Sequence, residues 1–380
     1  MARRPFGVYV HFPYCAHRCP YCDFAVTTAP VPGGRRYARA ILAELTLRAP
    51  AFDGLEPVSI YLGGGTPSLW DPDEVGEVLA ALRARFRFSP GAETTIEVNP
   101  ESCDRARLRT LRDAGVNRGS VGVQSFDPGV LAKLGRRHGP EAAERAIALA
   151  AEETGNASVD LIYGARRSTV DVARRDAARA VAAGAVHVSA YQLTLDPDVL
   201  AEEVPLARMQ REGRLPLPSD DDAARQGAAI RAVLRRAGLR RYEISNYARP
   251  GRESVHNRLY WDGESYLGLG AGAYGCLRGE ADAVRYGNLR DAGAWQEAAL
   301  AGRLPTAEED RITPAAARNE ALMLALRTVR GADLAALSAA QSREAADAVR
   351  HRLAVRRAGR LVLTSRGMDL HSALAERLFE

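Results

Sequence analysis

The sequence predicts an α/β protein: an incomplete barrel of six strand–helix units, (β/α)6, followed by a smaller and mainly helical domain. The first observation behind this fold class is that short apolar strands alternate regularly with amphipathic helices between residues 8 and 193. The second is that the alternation stops near residue 195 and helical patterns dominate from residue 311. Strands joined through helices run parallel, and fewer than eight such units indicate a barrel that does not close.

The predicted elements follow one another in chain order. The strands are short and apolar, at 8–12, 58–62, 94–99, 119–125, 158–164 and 186–193. The helices carry apolar residues at three- and four-residue spacing, at 37–49, 71–86, 104–115, 141–153 and 170–184. Asp71 and Pro72 supply the N-cap and first position of the second helix. Polar residues that follow the strands should gather at the carboxyl edge of the sheet, where such folds keep their sites.

The chain after residue 195 predicts connecting segments and a second domain. Its elements are a helix at 220–238, a tight glycine-rich turn region at 266–275, helices at 319–329 and 343–359, a strand at 360–364 and a final helix. The glycine-rich segment lacks the strand–turn–helix context of a dinucleotide site. We expect a core at 1–245, a connecting segment at 246–304 and a winged-helix-like domain at 305–380.

Composition narrows the class of protein. No segment of the 380 residues approaches the roughly 18 apolar residues of a membrane span, and the stretch at 7–12 is too short for a signal-peptide core. Five cysteines, an odd number, argue for a reducing compartment, so a cytoplasmic location is expected. The net charge is +5, but arginines alternate with acids and no basic block carries interleaved aromatics. We therefore expect no nucleic-acid partner.

Three cysteines form a C-x3-C-x2-C pattern directly after the first predicted strand. They are Cys15, Cys19 and Cys22. Three thiolates so close in sequence can hold three corners of an iron–sulfur cube and leave its fourth iron open to a small molecule. The pattern therefore predicts a redox cluster with one open coordination site.

Spacing alone also allows two further roles for the cysteines. A zinc ion could be completed by His11, His17 or Asp23, or the thiols could be unligated. Tyr21 lies between the last two cysteines, and a GGGTP turn follows at 63–67. Both features favour the cluster.

Polar residues close several of the predicted strands. Glu97, Gln124 and Asp160 end the third, fourth and fifth strands, and Arg136 follows a short helix after the fourth. A carboxylate can bind an ammonium or a ribose hydroxyl, and arginine pairs with a carboxylate. In GGGTP the glycines allow close approach of a ligand, although a tight βα turn without a ligand explains them equally. Together these residues suit a small zwitterionic ligand.

Longer strings extend these motifs: YVHFPYC, CPYCDF, YLGGGTPSL, EVNP, AGVNR, GVQSF, LGRRH and DLIYG. With them the chain resembles the HemN/HemW family of radical S-adenosylmethionine (SAM) proteins over nearly its whole length. The resemblance implies a radical SAM barrel, a 4Fe–4S cluster on the three cysteines, SAM on the open iron and an external electron donor. By position, the implied cofactor-binding residues are Tyr9, Tyr21, Gly64, Gly65, Thr66, Glu97, Gln124, Arg136 and Asp160.

Two branches of that family differ in short motifs. Oxygen-independent coproporphyrinogen III oxidases resemble the chain but carry a further cysteine where Phe24 stands, and they usually have a longer N-terminal extension. The heme chaperones share CPYCDF and an HNxxYW motif, which here is HNRLYW at 256–261. The second resemblance implies heme as a ligand, with His256 as the candidate ligand of its iron and Tyr260 and Trp261 as aromatic walls. The alternative for His256 is a loop histidine that makes one hydrogen bond.

One segment departs from the family pattern. After DLIYG the family usually continues as Leu-Pro-Gly-Gln-Thr, whereas this chain has ARRST at 165–169. The loss of the proline and the glycine puts the conformation of this loop in question, and with it the fit of Asp160.

The expected function is a heme chaperone that binds a 4Fe–4S cluster and SAM and delivers heme to an acceptor protein. One alternative is an enzyme, either a coproporphyrinogen III oxidase or a radical SAM methyltransferase or cyclopropanase. Another is a nucleic-acid role of the basic C-terminal domain. The sequence leaves open whether the chain is an enzyme and whether it is a dimer. The isolated Cys103 and Cys276 are expected to be ordinary thiols.

Overall fold

The computed structural model describes residues 3–378 apart from 197, 199, 201, 280 and 281. The strands within this part of the chain are β1 (Pro5–Phe12), β2 (Glu56–Gly64), β3 (Glu93–Val98), β4 (Arg118–Gln124), β5 (Ala157–Tyr163), β6 (His187–Gln192), β7 (Arg240–Arg241), β8 (Asn246–Ala248), β9 (Ser265–Leu269), β10 (Tyr274–Arg278), β11 (Ala283–Asn288), β12 (Thr306–Ile312), β13 (Ala332–Asp333), β14 (Ala354–Arg357) and β15 (Arg360–Leu363).

The helices of the same part are α1 (Arg36–Arg48), α2 (Pro72–Arg85), α3 (Arg105–Asp113), α4 (Pro128–Lys133), α5 (Pro140–Thr154), α6 (Val170–Ala182), α7 (Pro205–Arg211), α8 (Asp220–Arg236), α9 (Val255–Trp261), α10 (Ala292–Leu300), α11 (Pro314–Leu326), α12 (Ala339–Arg350), α13 (Ser365–Asp369) and α14 (His371–Leu378). No helix in the described ranges is both long and apolar enough to cross a membrane.

The six predicted strand–helix units are present, and the predicted fold class is confirmed. Strands β1 to β6 pair side by side in chain order, and every pair is parallel. In β1, Val8, Val10 and Phe12 are fully buried against the outer helices, where Phe12 stacks on Trp70 with ring centroids 5.0 Å apart. Because side chains alternate along a strand, the residues between them face the barrel interior.

The segment 266–275 is not the tight turn region that the sequence suggested. It contains most of β9, a short turn and the start of β10. Strand β9 pairs with β1 in parallel, and β10, β11 and β12 continue the sheet antiparallel. The glycine-rich composition hid these strands, because glycine is depleted in strands and gives no apolar alternation. A seventh parallel strand therefore extends the barrel beyond β1.

Helix α9 closes the barrel at the amino ends of the first strands. Its first backbone N–H groups, on Val255 and His256, each donate to the carboxylate of Glu93 at 3.0 Å. Gly7 allows the helix to approach β1, because a Cβ there would lie 2.8 Å from the Leu259 side chain. We call this end of the barrel the floor.

The C-terminal residues form a second hydrophobic core. Helices α11, α12 and α14 pack on a small antiparallel sheet of order β13-β15-β14. The predicted helix at 343–359 ends earlier, at Arg350, and Ala354–Arg357 pairs with β15 instead. Arg352 has a positive φ of 58°, which a continuing helix does not allow. Since β12 belongs to the large sheet, the domain boundary at 305 stays a prediction.

Candidate cofactor-binding site

The cysteine loop follows β1 at the carboxyl edge of the sheet. The Cys15 N–H donates to the Thr27 carbonyl at 2.9 Å, and the Cys22 N–H donates to the Cys19 carbonyl at 3.1 Å. These bonds fold the loop back on itself, so all three thiols belong to one compact turn.

The GGGTP turn after β2 lies directly against this loop. The Gly65 N–H donates to the Phe12 carbonyl at 2.8 Å, and the Thr66 N–H donates to the Tyr14 carbonyl at 3.0 Å. Gly64 has φ of +114°, and a Cβ there would come within 2.5 Å of the His11 ring. The glycines are therefore required for the close contact of this turn with β1 and the cysteine loop, which brings Thr66 beside Cys15.

Polar donors approach two of the three sulfurs. Thr66 Oγ1 lies 3.6 Å from Cys15 Sγ, and Arg136 Nη1 lies 3.6 Å from Cys19 Sγ. Burial raises the pKa of the Cys22 thiol to about 11, and burial also raises the pKa of Cys15. Buried thiolates need positive charge nearby, and iron together with Arg136 would supply it. The donor set fits metal-bound thiolates.

The side chains do not form a site for a single zinc ion. Within the described residues, no three His, Cys, Asp or Glu side chains converge as ligands of one ion. His11 Nε2 is 2.9 Å from the Ala25 carbonyl, its Nδ1 is 3.0 Å from the Tyr9 hydroxyl, and His17 Nε2 is 3.2 Å from the Gly135 carbonyl. The Nε2 atoms of both histidines are therefore held by backbone carbonyls.

A cavity of about 470 Å³ begins at the cysteine loop and runs into the barrel. It brings together most of the residues that the sequence singled out. Those that line it are Cys15, Cys19, Cys22, Tyr21, Gly64, Gly65, Thr66, Glu97, Gln124, Arg136 and Asp160.

Two carboxyl groups, those of Glu97 and Asp160, line this cavity and interact electrostatically. Glu97 accepts hydrogen bonds from the Gly64 N–H and the Tyr61 hydroxyl, both at 3.0 Å. Burial, and then the negative charge of Asp160, raises the pKa of Glu97 to about 7. Burial also raises the pKa of Asp160, whose carboxylate lies 3.5 Å from Ser120 Oγ. An ammonium group placed here would relieve the repulsion between the two acids.

Arg136 and Gln124 lie on the β4 side of the cavity. Arg136 Nη2 donates to the Asn99 side chain at 3.0 Å and to the Gly122 carbonyl at 2.8 Å. Gln124 has a positive φ of 67° at a register shift between β4 and β5. Such a conformation is strained for a residue other than glycine, and strain of this kind concentrates at binding sites.

Two predicted residues, Tyr9 and His256, do not line the cavity. Tyr9 lies inside the barrel with its ring 6.1 Å from that of Tyr61. His256 lies on the floor helix and is only 1% exposed. Its Nδ1 is 2.9 Å from Ser59 Oγ and its Nε2 is 2.9 Å from the Tyr260 hydroxyl, while burial lowers its pKa to about 3. Both ring nitrogens are engaged, so this arrangement is not an open heme-ligand site.

The atypical loop at 165–169 keeps a defined conformation. The Gln226 Oε1 atom accepts from the Gly164 N–H at 2.9 Å and from Ser168 Oγ at 2.6 Å. Arg167 takes the position where the family has glycine and has φ of +72°. Asp160 still lines the cavity, so the departure leaves its placement intact.

The sequence did not single out several residues that line the cavity. They are Tyr61, Asn99, Arg118, Ser120, Ser189 and Asn257. Most lie within or directly after a predicted strand, and period-two alternation could have placed them on the inner face. Asn257 follows His256 in HNRLYW and reaches the cavity from the floor.

The chain is similar to known proteins that contain a radical SAM domain. Residues 9–176 match the Radical SAM superfamily. The heme chaperone HemW of Mycobacterium tuberculosis is 38% identical over 382 aligned residues, which cover 100% of this chain and 96% of the relative. The chain belongs to the HemW family of radical SAM proteins. Membership of the radical SAM family implies a 4Fe–4S cluster and SAM as cofactors.

Two further relatives and one solved structure are similar to the chain. HemW of Escherichia coli is 37% identical over 71% of this chain and 70% of its own length. Radical S-adenosyl methionine domain-containing protein 1, a mitochondrial protein of Bos taurus, is 39% identical over 71% of this chain and 60% of its own length. The solved structure of coproporphyrinogen III oxidase HemN from Escherichia coli has a TM-score of 0.81, covers 99% of this chain and 90% of the HemN chain, and is 22% identical. At that identity the match establishes the fold alone.

Proposed function

We propose that this HemW-family chain holds a 4Fe–4S cluster on Cys15, Cys19 and Cys22, binds SAM in the barrel cavity, and delivers heme to an acceptor protein. The observation that carries the proposal is the 38% identity to a protein named as a heme chaperone over the full length of this chain. The reduced cluster would supply the electron for cleavage of the SAM sulfonium bond.

The chemistry of the cavity supports SAM as the ligand beside the cluster. Glu97 and Asp160 offer carboxylates to an ammonium or a ribose hydroxyl, and Arg136 offers a guanidinium to a carboxylate. The GGGTP turn offers backbone groups at the cysteine end of the same cavity. One zwitterionic molecule can therefore be held at both charged ends.

Phe24, the residue after CPYCD, supports a heme chaperone over a coproporphyrinogen oxidase. Phe24 stands where the coproporphyrinogen oxidases carry a further cysteine, and its side chain is 55% exposed beside the cavity mouth. An exposed aromatic ring offers an apolar contact to a flat macrocycle.

His256 remains the proposed ligand of the heme iron, although its Nε2 atom is occupied in this structure. Nε2 becomes available only if its contact with Tyr260 breaks and α9 leaves the floor. Heme binding through His256 would therefore compete with docking of this helix.

Anaerobic reconstitution followed by heme titration tests the proposal. We expect the reconstituted protein to bind heme with a defined Soret band and to restore the activity of a heme-free acceptor enzyme. Decarboxylation of coproporphyrinogen III by the same preparation would overturn the chaperone assignment in favour of an oxidase. Failure to bind heme in any cluster state would overturn it as well.

A further inference from the structure

The cavity continues below the SAM-facing residues to a buried arginine. Arg118 is the first residue of β4, is only 1% exposed, and lines the cavity together with Asn257 of the floor helix. Nothing in the proposed SAM or heme contacts uses it. We call the part of the cavity around Arg118, Ser120, Ser189 and Asn257 the lower chamber.

The guanidinium of Arg118 is poorly satisfied by the protein. Of its five N–H donors, one on Nη1 makes a long contact of 3.5 Å with Thr95 Oγ1. Its Nε has no hydrogen-bond partner within the described residues. A buried donor without a partner destabilises the folded chain, and more so when the group is charged. An acceptor supplied by a ligand would satisfy the free donors of the Arg118 guanidinium.

The carboxylate of Glu93 does not meet this need. Glu93 Oε2 lies 4.0 Å from Arg118 Nε, which is beyond hydrogen-bond distance. The Glu93 carboxylate already accepts from Ser254 Oγ at 3.3 Å and from the first two N–H groups of α9 at 3.0 Å. Glu93 therefore balances the charge of Arg118 without satisfying its donors.

We propose that Arg118 binds the carboxylate of a second organic ligand in the lower chamber. A guanidinium presents its donors in a planar fork that matches the two oxygens of a carboxylate. The Asn257 amide lines the same chamber and can supply a further hydrogen bond. Two sources fit this chemistry: a propionate arm of a porphyrin, or a small carboxylic acid.

The charge around the chamber is compatible with an anion. Glu97 and Asp160 line the same cavity, and Asp160 lies 3.5 Å from Ser120 Oγ of the chamber. Burial, and then the charge of Asp160, raises the pKa of Glu97 to about 7, so Glu97 carries less than its full negative charge near neutral pH. The repulsion that a carboxylate meets is reduced accordingly.

The site requires neither the cluster nor SAM, so it is tested on the full-length apoprotein. Calorimetric titration with propionate is compared with propionamide, which has nearly the same shape and no charge. We expect propionate to bind the wild type, and propionamide to bind at least about tenfold more weakly, the equivalent of one charge-assisted hydrogen bond. Equal binding of the two probes would overturn the proposal.

Arg118→Gln should remove the preference for propionate. The matched control is Arg278→Gln, since Arg278 Nε also lacks a partner in the described part of the chain but the residue does not line the cavity. We expect the control to bind propionate as the wild type does. Unchanged propionate binding by Arg118→Gln, with circular dichroism verifying that it is folded, would overturn the assignment.

Crystals of the wild type soaked in propionate cover the case in which Arg118→Gln does not fold. Density for a carboxylate on the Arg118 guanidinium supports the site, and a chamber holding only water at saturating propionate overturns it.

Heme and heme dimethyl ester then distinguish the two sources of the carboxylate. If Arg118→Gln weakens heme and not the ester, the carboxylate belongs to the porphyrin. If Arg118→Gln binds heme and the ester with wild-type affinity but no longer binds propionate, the carboxylate belongs to a small acid.

Discussion

Arg136 and Cys19 lie 117 positions apart, yet Arg136 Nη1 is 3.6 Å from Cys19 Sγ. The contact depends on the short helix α4 and on bonds from Arg136 Nη2 to Asn99 and Gly122, which fix the guanidinium in place. A cationic donor beside a cluster sulfur stabilises negative charge on it and raises the reduction potential of the cluster.

Removing this donor should make the cluster harder to reduce. We expect Arg136→Gln to lower the potential by about 40 mV, the one-electron equivalent of a hydrogen bond worth about 1 kcal/mol. Redox titration monitored by electron paramagnetic resonance measures this. The neighbouring Arg137 is exposed, so Arg137→Gln is the matched control and should leave the potential unchanged. The same potential in both variants would contradict a role of Arg136 at the sulfur.

Each of the three loop cysteines should be required for the cluster. Changing Cys15, Cys19 or Cys22 to Ala should abolish the iron–sulfur absorbance after anaerobic reconstitution, because a cube held by three thiolates cannot lose one. Cys103→Ala is the control, since this residue lies outside the cavity lining. A loop variant that keeps full absorbance and four irons per chain would exclude the assignment.

Glu97 should make stability depend on pH in a definite direction. Its pKa is about 7 in the folded protein, against 4.5 for the free side chain, so the folded state binds its proton more tightly. The contribution of Glu97 to the free energy of unfolding is therefore fully present below pH 4.5 and is lost as pH rises toward 7, by at most about 3 kcal/mol. Chemical denaturation of the wild type and Glu97→Gln between pH 4.5 and 8 measures the difference. Parallel curves would show that Glu97 titrates normally.

Heme binding through His256 predicts opposite effects of two substitutions. Tyr260→Phe removes the partner of Nε2 at a net cost of about 1 kcal/mol to the closed floor, so it should tighten heme binding several-fold. His256→Ala should weaken heme binding about tenfold or more, as loss of a metal ligand does. Soret titration checks both, and His351→Ala is the control because His351 lies exposed at the end of α12. Wild-type affinity in both test variants would leave His256 with a structural role only.

Arg167 should be destabilising where it stands. It has φ of +72°, a conformation that costs a residue with a Cβ roughly 1–2 kcal/mol relative to glycine. Glycine also adds conformational entropy to the unfolded chain, which offsets part of this gain. The net effect of Arg167→Gly should be a free energy of unfolding that is higher by about 0.5–1 kcal/mol. Arg166 is not among the residues with positive φ, so Arg166→Gly should lower stability. Equal losses in the two variants would show that the loop relaxes.

The sequence predicted the strand–helix units well because each has a clear local pattern. Asp71 caps α2 as expected, accepting from the Asp73 N–H, and β1 to β6 begin within two or three residues of their predicted starts. The cavity residues at strand ends were predictable for the same reason, since parallel strands bring their carboxyl ends together. Their interpretation as a SAM cradle came from the family resemblance.

The elements that were missed depend on contacts between distant parts of the chain. Strand β9 is a strand because it pairs with β1, some 260 positions earlier, and the segment that follows its start, 266–275, is rich in glycine. Arg118 has an ordinary strand context, and only the folded barrel with its floor helix buries it. His256 was expected to be a heme ligand, with a loop histidine as the alternative, and its position under the barrel follows from the docking of α9 on Glu93.

The barrel floor has a consequence for how far the chain can be shortened. A chain cut after residue 245 would keep all three cysteines and every residue assigned to SAM, but it would lose α9 and β9. The lumen would then be open to water at both ends, and the backbone of β1 would become an unprotected sheet edge on which a second chain could pair. The six strand–helix units are therefore expected to be insoluble alone. Residues 246–288 are the part that covers the lower end of the lumen and the edge of β1.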